Sequence, residues 1–341
     1  MKEKLWTLDG LHPERFAILF ILFAAVMWLA QPFRHVSAQT AAARPPLGVT
    51  TSTQNAQQIA ILHWYNANLT TQFTTGTAPN GVAFDGSSVW VCNNGSNNVT
   101  KLRASDGTVL GTFPVGSNPL AVAFDGANIW VANINSHNVT KLKASTGAVL
   151  GTFTVGTQPD ALAFDGANIW VANNGSNNVT KLKAGTGAVL GTFNVGTFPA
   201  GVVFDGTNIW VTNNGSGNVT KLSQAGAVLG TFTVGSEPTG IAFDGTNIWT
   251  ANFGSNNVTE LSGSTGATLG TFAAGSGPDD VVYDGANIWV TDFNGGTVTK
   301  LKASNGATLG VFAVGREPSN AAFDGANIWV ANFGGTTVSK L

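Results

Sequence analysis

The chain has little of what most functional classes require. Only 10% of its 341 residues are charged and the net charge is −2. With 43% hydrophobic content, that excludes a disordered polyelectrolyte, and the missing basic excess argues against nucleic acid as a partner. Cys92 is the single cysteine, so no intramolecular disulfide can form. Histidine is nearly as scarce: His12 and His35 stand near the amino end, His63 follows, and only His137 falls in the body of the chain. Zinc sites built from three or four His and Cys ligands are therefore not expected. Asp-x-Asp-x-Asp-Gly, Gly-Lys-Ser/Thr and Gly-x-Ser-x-Gly motifs are absent too, which removes the marks of a calcium loop, a phosphate-binding loop and a hydrolase elbow. The 43 glycines follow no Gly-x-y period, so collagen is excluded.

What is present begins with an apolar run, Phe16 to Ala30, followed by the small residues Val36-Ser37-Ala38. A membrane-spanning helix needs about 20 apolar residues, whereas a secretory signal core is shorter and precedes a small-residue cleavage site. Residues 1–38 are therefore expected to be a signal peptide, with an uncleaved anchor as the alternative because Glu3, Asp9 and Glu14 offset the leading bases. The protein is expected in the periplasm or outside the cell. Residues 39–58, rich in Ala, Thr, Pro and Gln, suit a flexible linker. Residues 39–341 carry 12 bases and 15 acids, so bulk charge would not drive the chain onto anionic surfaces.

The dominant signal is repetition. Phe-Asp-Gly recurs from Phe84, Phe124, Phe164, Phe204, Phe243 and Phe323, with Tyr283 heading a variant, at spacings of 40, 40, 40, 39, 40 and 40. Each unit divides into four short strands: in one copy A over 160–164, B over 168–173, C over 178–183 and D over 188–195. Small residues at Ala83, Ala123, Ala163, Ala242 and Ala322 suit an innermost strand on a narrow axis. The strand-D aromatic appears as Phe113, Phe153, Phe193, Phe232, Phe272 and Phe312, and the seventh unit stops on strand C at Leu341. Upstream, Thr71-Gln72-Phe73-Thr74-Thr75-Gly76 matches Gly151-Thr152-Phe153-Thr154-Val155-Gly156, so Phe73 would supply the missing aromatic. These observations predict an all-β, seven-bladed β-propeller over 59–341, closed by an amino-terminal strand that completes the last blade.

Ile-Trp-Val-Ala-Asn-Asn-Gly-Ser-Asn-Asn-Val-Thr-Lys-Leu with a following Gly-x-x-Pro resembles the YVTN-type propeller repeat, with Trp130 where that family often has tyrosine. The resemblance covers roughly residues 59–341 and implies architecture, since such repeats occur in surface-layer, periplasmic and enzymatic proteins alike. It extends distantly to streptogramin B lyases, which would imply a metal-assisted elimination using histidines and a glutamate on the upper face. His137 alone cannot reproduce that set.

Positions that repeat in every unit are explained by the fold. The Phe-Asp-Gly aspartates read as turn residues, and Trp90, Trp130, Trp170, Trp210, Trp249, Trp289 and Trp329 as a packing layer between blades. Cys92 stands where other units have alanine and reads as a small buried filler; His137 replaces a loop asparagine. Ten bases fall on strand C, from Lys101 to Lys340, and read as a solvated outer belt that discourages edge pairing.

A single site must use positions where the copies differ. The D-to-A and B-to-C connections share one face, and six acids outside the turns fall there: Asp160, Glu237, Asp279, Asp280, Asp292 and Glu317. In the last three units Phe253, Phe293 and Phe333 replace the loop asparagine; Arg316 stands alongside, and Phe198 lies on the same face. Aromatic anchors beside carboxylates suit recognition of a cationic group or a hard metal ion. The expected function is an exported, non-enzymatic binding module, without a cofactor, catalytic residue or metal site, recognising a protein, peptide or glycan on this face as a monomer. The alternative is a lyase or hydrolase using a divalent ion held by Asp279, Asp280 and Asp292.

Overall fold

The computed structural model describes residues 72–341, a closed wheel of seven four-stranded antiparallel sheets. The expected signal peptide, the linker and residues 59–71 lie outside the described residues. Among the described residues there is no α-helix; short 3-10 turns such as Asn174–Ser176 occupy four of the B-to-C connections. In the third blade strands A to D are Pro159–Phe164, Asn168–Asn173, Asn178–Lys183 and Val189–Asn194, paired in chain order.

The sequence dictates this layering. Every residue of strand B except its leading asparagine is buried in the third blade, because its two faces press on neighbouring blades, and its residues Ile169-Trp170-Val171-Ala172 accordingly read as one apolar run. Trp170 packs with Ile209, Val211 and Leu222 of the next blade in one of seven similar clusters. Strand D stacks its aromatic ring on the same blade's tryptophan, with centroids 5.2 to 5.6 Å apart around the wheel. The Phe113 ring also lies against Gly147 of the next blade, where φ is +73° and a Cβ would collide with the ring, so glycine is required there twice over.

The seventh blade closes as the sequence implies. Gln72–Thr74 pairs antiparallel with the last strand, Gln72 opposite Ser339, Phe73 opposite Val338 and Thr74 opposite Thr337. Phe73 meets Trp329 at 5.2 Å. The two termini of the wheel are thereby joined without a covalent link.

The A-to-B turns show what the repeated aspartate does. Asp165 accepts hydrogen bonds from the backbone N–H groups of Ala167 and Asn168 through Oδ1, while Oδ2 accepts the Trp170 indole N–H at 2.7 Å. The same clip recurs in all seven blades, at 2.7 or 2.8 Å. A buried indole N–H needs a partner, and one carboxylate serves both turn and core. Burial raises the pKa of Asp165, but the bonds from Trp170, Asn168 and the turn backbone outweigh it and hold the group below the ordinary aspartate value.

The strand-C lysines differ from the expected solvated belt. Lys101, Lys141, Lys181, Lys221, Lys300 and Lys340 fold back over their own blade's tryptophan, 4.3 to 5.2 Å from the ring centroid. Lys141 is only 7% exposed, and its Nζ donates to the carbonyl of Ala184 in the next blade at 2.7 Å. Lys101, Lys181, Lys221 and Lys340 make the same clasp to Ala144, Gln224, Gly263 and Ala104. The long aliphatic stem covers the indole and brings the ammonium to a carbonyl at the seam, so these lysines join blades. Arg103, Lys143, Lys183 and Lys302, two residues further along the same strands, are the exposed members.

Candidate site at the mouth of the central channel

The seven A strands surround a central cavity of about 470 Å³. Its wall carries Asp160, Asp279 and Asp280 together with Asn80, Thr239 and Asn320, and the side chains of Phe293 and Phe333 complete its lining. No lysine, arginine or histidine lines it. The carboxylates reach the channel because the A strand is irregular beside its leading proline: in the sixth blade the register shifts between Pro278 and Val281, across both Asp279 and Asp280. A bulge re-aims side chains that strict alternation would send to opposite faces.

The three carboxyls differ in their partners. Asp280 Oδ2 accepts the Ala321 N–H of the seventh blade at 3.0 Å. Asp160 receives a long contact of 3.4 Å from the Asn174 amide. No donor among the described residues bonds to the Asp279 carboxylate. Burial in the wall raises Asp279 to about 7, helped by the charges of Asp280 and Asp160. Burial likewise raises Asp160 to about 7 against the Asn174 hydrogen bond, and Asp280 to about 6 against the N–H groups of Ala321 and Val281.

Above the channel the face is divided. On the side of the first blades the position after strand B is amide or aliphatic: Asn94, Ile134, Asn174 and Asn214. Asn94 accepts from the Asn118 amide at 3.0 Å, and Asn174 reaches Asp160 and the Pro199 carbonyl. On the other side Phe253, Phe293 and Phe333 form a half-buried arc, with centroid distances of 6.2 Å between the first pair and 6.0 Å between the second. These are ordinary separations for tilted aromatic pairs.

The structure brings Asp160, Asp279, Asp280, Phe293 and Phe333 to one cavity, and Phe253 to its rim through Phe293. The other expected site residues lie elsewhere. Phe198, Glu237 and Glu317 occupy one equivalent position before the A-strand proline, in left-handed backbone with φ of +52°, +51° and +50°. That conformation is shared by Ala78, Asn118 and Gln158 and belongs to the loop design rather than to a ligand. Phe198 is 52% exposed, Glu237 and Arg316 are exposed, and Glu317 is half-buried.

Asp292 departs from its expected place. It is fully buried inside the sixth blade, where Oδ1 accepts the Gly275 N–H and Oδ2 accepts the Thr297 and Thr299 hydroxyls. Other blades have asparagine here, donating to Asn98 and Thr100 in the first. In the sixth, aspartate replaces the donor and Thr297 replaces the acceptor asparagine, so the polarity of the pair is reversed and remains satisfied. Asp279, Asp280 and Asp292 therefore do not converge, and among the described residues no three His, Cys, Asp or Glu side chains are grouped to hold a metal ion.

Sequence reasoning missed Asn80, Thr239 and Asn320 as channel-lining groups; all three follow the A-strand proline by one or two residues, which was the available signal. His137 does the work of the asparagine it replaces: its Nδ1 accepts the Gln158 N–H at 3.0 Å, as Asn177 Oδ1 accepts that of Phe198 at 2.8 Å.

No protein-family model and no curated protein sequence matches the chain. Among solved structures, a streptogramin B lyase aligns with a TM-score of 0.68 at 17% identity over 79% of this chain and 95% of that one. Hydrazine synthase of Kuenenia stuttgartiensis aligns with a TM-score of 0.69 at 19% identity over 79% and 96%. Likeness at this identity shows a shared propeller fold and no more.

Proposed function

We propose that the protein is an exported, non-enzymatic binding module that takes a protein, peptide or glycan on its loop face, at the Phe253–Phe293–Phe333 arc and the channel mouth beneath it. The observation that carries this reading is the asymmetry of the channel. Phe293 and Phe333 line the same cavity as Asp279 and Asp280, in the part of a repeating wheel where the copies differ. A cavity with apolar walls and a few convergent polar groups is the usual form of a binding site. The apolar run Phe16–Ala30 supports export to the periplasm or beyond. Near-neutral charge and the incorporation of half the strand-C bases into seams support a partner other than nucleic acid.

Peptide and glycan arrays test the reading. The wild-type protein is expected to retain a defined set of ligands that the double variant Phe253→Ala, Phe293→Ala loses at least tenfold, with the melting temperature little changed because both rings are half-buried surface groups. Equal retention by the two proteins would remove the arc as the site.

A second reading is favoured by one observation. Burial raises Asp160 and Asp279 to about 7 within one cavity, the range in which acid–base groups of enzymes work, and a lyase or hydrolase acting through these carboxylates would use them as proton carriers.

A further inference from the structure

We propose that the ligand is a polypeptide that inserts a basic side chain, lysine or arginine, past Phe293 and Phe333 into the central channel to reach Asp279. This rests on the binding-module reading and adds the chemistry of what is bound.

Charge complementarity carries the argument. Three carboxylates line the cavity and no base does, so their charge is uncompensated by protein. Apart from Glu237 and Glu317 at the loop tips, the other acids of the wheel have partners. The turn aspartates each take several hydrogen bonds, Asp106 pairs with Arg103 at 2.9 Å, and Asp292 takes three. Asp279 alone of the channel acids has no donor among the described residues. A carboxylate in an enclosed wall is satisfied best by a charge-assisted donor brought from outside.

The apolar arc selects the form of the donor. Aromatic faces attract alkylammonium and guanidinium groups, and their rings pack against the methylene stem behind the charge. The cavity of about 470 Å³ accommodates one long side chain. Beyond the cavity the face offers further apolar contact at Phe253 and at the exposed Phe198, and amides at Asn94 and Asn174. A polypeptide uses all of these, with flanking residues on the rings and its backbone against the amides, whereas a free amine would use the channel alone.

The test is fluorescence anisotropy with labelled hexalysine and its fully acetylated counterpart, on the wild-type protein, Asp279→Asn and Glu260→Gln. The last removes the same charge from the outer part of the fifth blade, away from the channel. The wild type should bind hexalysine at least tenfold more tightly than the acetylated form, Asp279→Asn should lose at least tenfold, and Glu260→Gln should stay within twofold. Binding should weaken from pH 8 to pH 5.5 as Asp279, Asp160 and Asp280, the titratable groups facing the cavity, take up protons. Melting curves confirm that each variant is folded. The proposal is overturned if hexalysine fails to bind, if Asp279→Asn binds as the wild type does, or if both variants weaken equally, which would mean bulk attraction. Failure here and failure of the binding-module reading are separable. Ligands on the arrays that need Phe293 but contain no basic residue would sink this inference and leave that reading standing, while an array signal indifferent to the arc would sink that reading itself.

Discussion

Blades one to four and blades five to seven are built from one repeat, yet they spend their side chains differently. At the seams from the first blade to the fifth, and from the seventh back to the first, a lysine covers a tryptophan and clasps the next blade's carbonyl. The fifth blade has Glu260 in the lysine's place, bonded to Asn247 of its own blade. In the sixth, Lys300 covers Trp289 but finds no carbonyl partner among the described residues. The sixth blade is therefore flanked by two unclasped seams. It also carries Asp279, Asp280 and Phe293, and its Trp289 is 8% exposed where the other six blade tryptophans are at 0%. The comparison teaches that identical positions account for the fold, while the two unclasped seams flank the blade that carries Asp279, Asp280 and Phe293, with Asp160 facing the same cavity from the third blade.

Two aspartates break the comparison most sharply, because they should respond with opposite signs. Asp165→Ala removes two turn bonds and the acceptor of a buried indole N–H, and should cost about 2–4 kcal/mol in denaturant unfolding. Its folded pKa is depressed, so its contribution is complete above the unfolded aspartate value and disappears as pH falls through the lower folded value. Asp279 works the other way. Its folded pKa of about 7 lies above the unfolded value near 4, so the folded state holds the extra proton between them and stability falls as pH rises across that window. Asp279→Asn should raise the melting temperature by a few degrees at pH 8 and leave it unchanged at pH 4. A uniform shift at both pH values would show that Asp279 is not held in a strained, charged state.

How much of this was legible depended on whether a residue acts locally or across a seam. Strand boundaries, the Asp-Gly turns and the closing strand that carries Phe73 follow from period-two alternation and a forty-residue repeat, both read along the chain without knowledge of the packing. The lysine clasp joins residues 43 apart, such as Lys101 and Ala144, and a side chain's reach across a seam has no periodic signature. Lysine on a strand beside an outer edge therefore read as solvated. Asp292 misled for a related reason. Its loop-face position was legible, but whether the carboxylate points outward or into the blade depends on Thr297 and Thr299, whose hydroxyls hold it inside. Asp160, Asp279 and Asp280 were found as breaks in symmetry, while the bulge that turns them into the channel required the observed register.

The clasp itself sharpens the comparison at smaller effect. Lys141→Met keeps the aliphatic cover on Trp130 and removes the bond to Ala184, so it should cost about 1–2 kcal/mol in denaturant unfolding. Lys300→Met removes no seam bond and should cost under about 0.5 kcal/mol. Equal losses would place the energy in the ammonium over the ring and not in the seam.

The smallest effect should come from adding a clasp where there is none. Glu260 sits opposite Trp249 in the lysine register, and burial raises its pKa, with the Asp244 charge adding to the rise against the Asn247 hydrogen bond. Glu260→Lys would remove that repulsion, cover the Trp249 ring and bring an ammonium toward Ala303, the counterpart in the sixth blade of Ala144 in the second. The gain should be about 0.5–1 kcal/mol in denaturant unfolding at pH 7. If relaxed seams serve ligand entry at the sixth blade, the same change should also slow association of a channel ligand without altering Asp279 or the aromatic arc. A more stable wheel with unchanged association would separate the two properties, leaving the missing clasps as a structural variation that the site does not use.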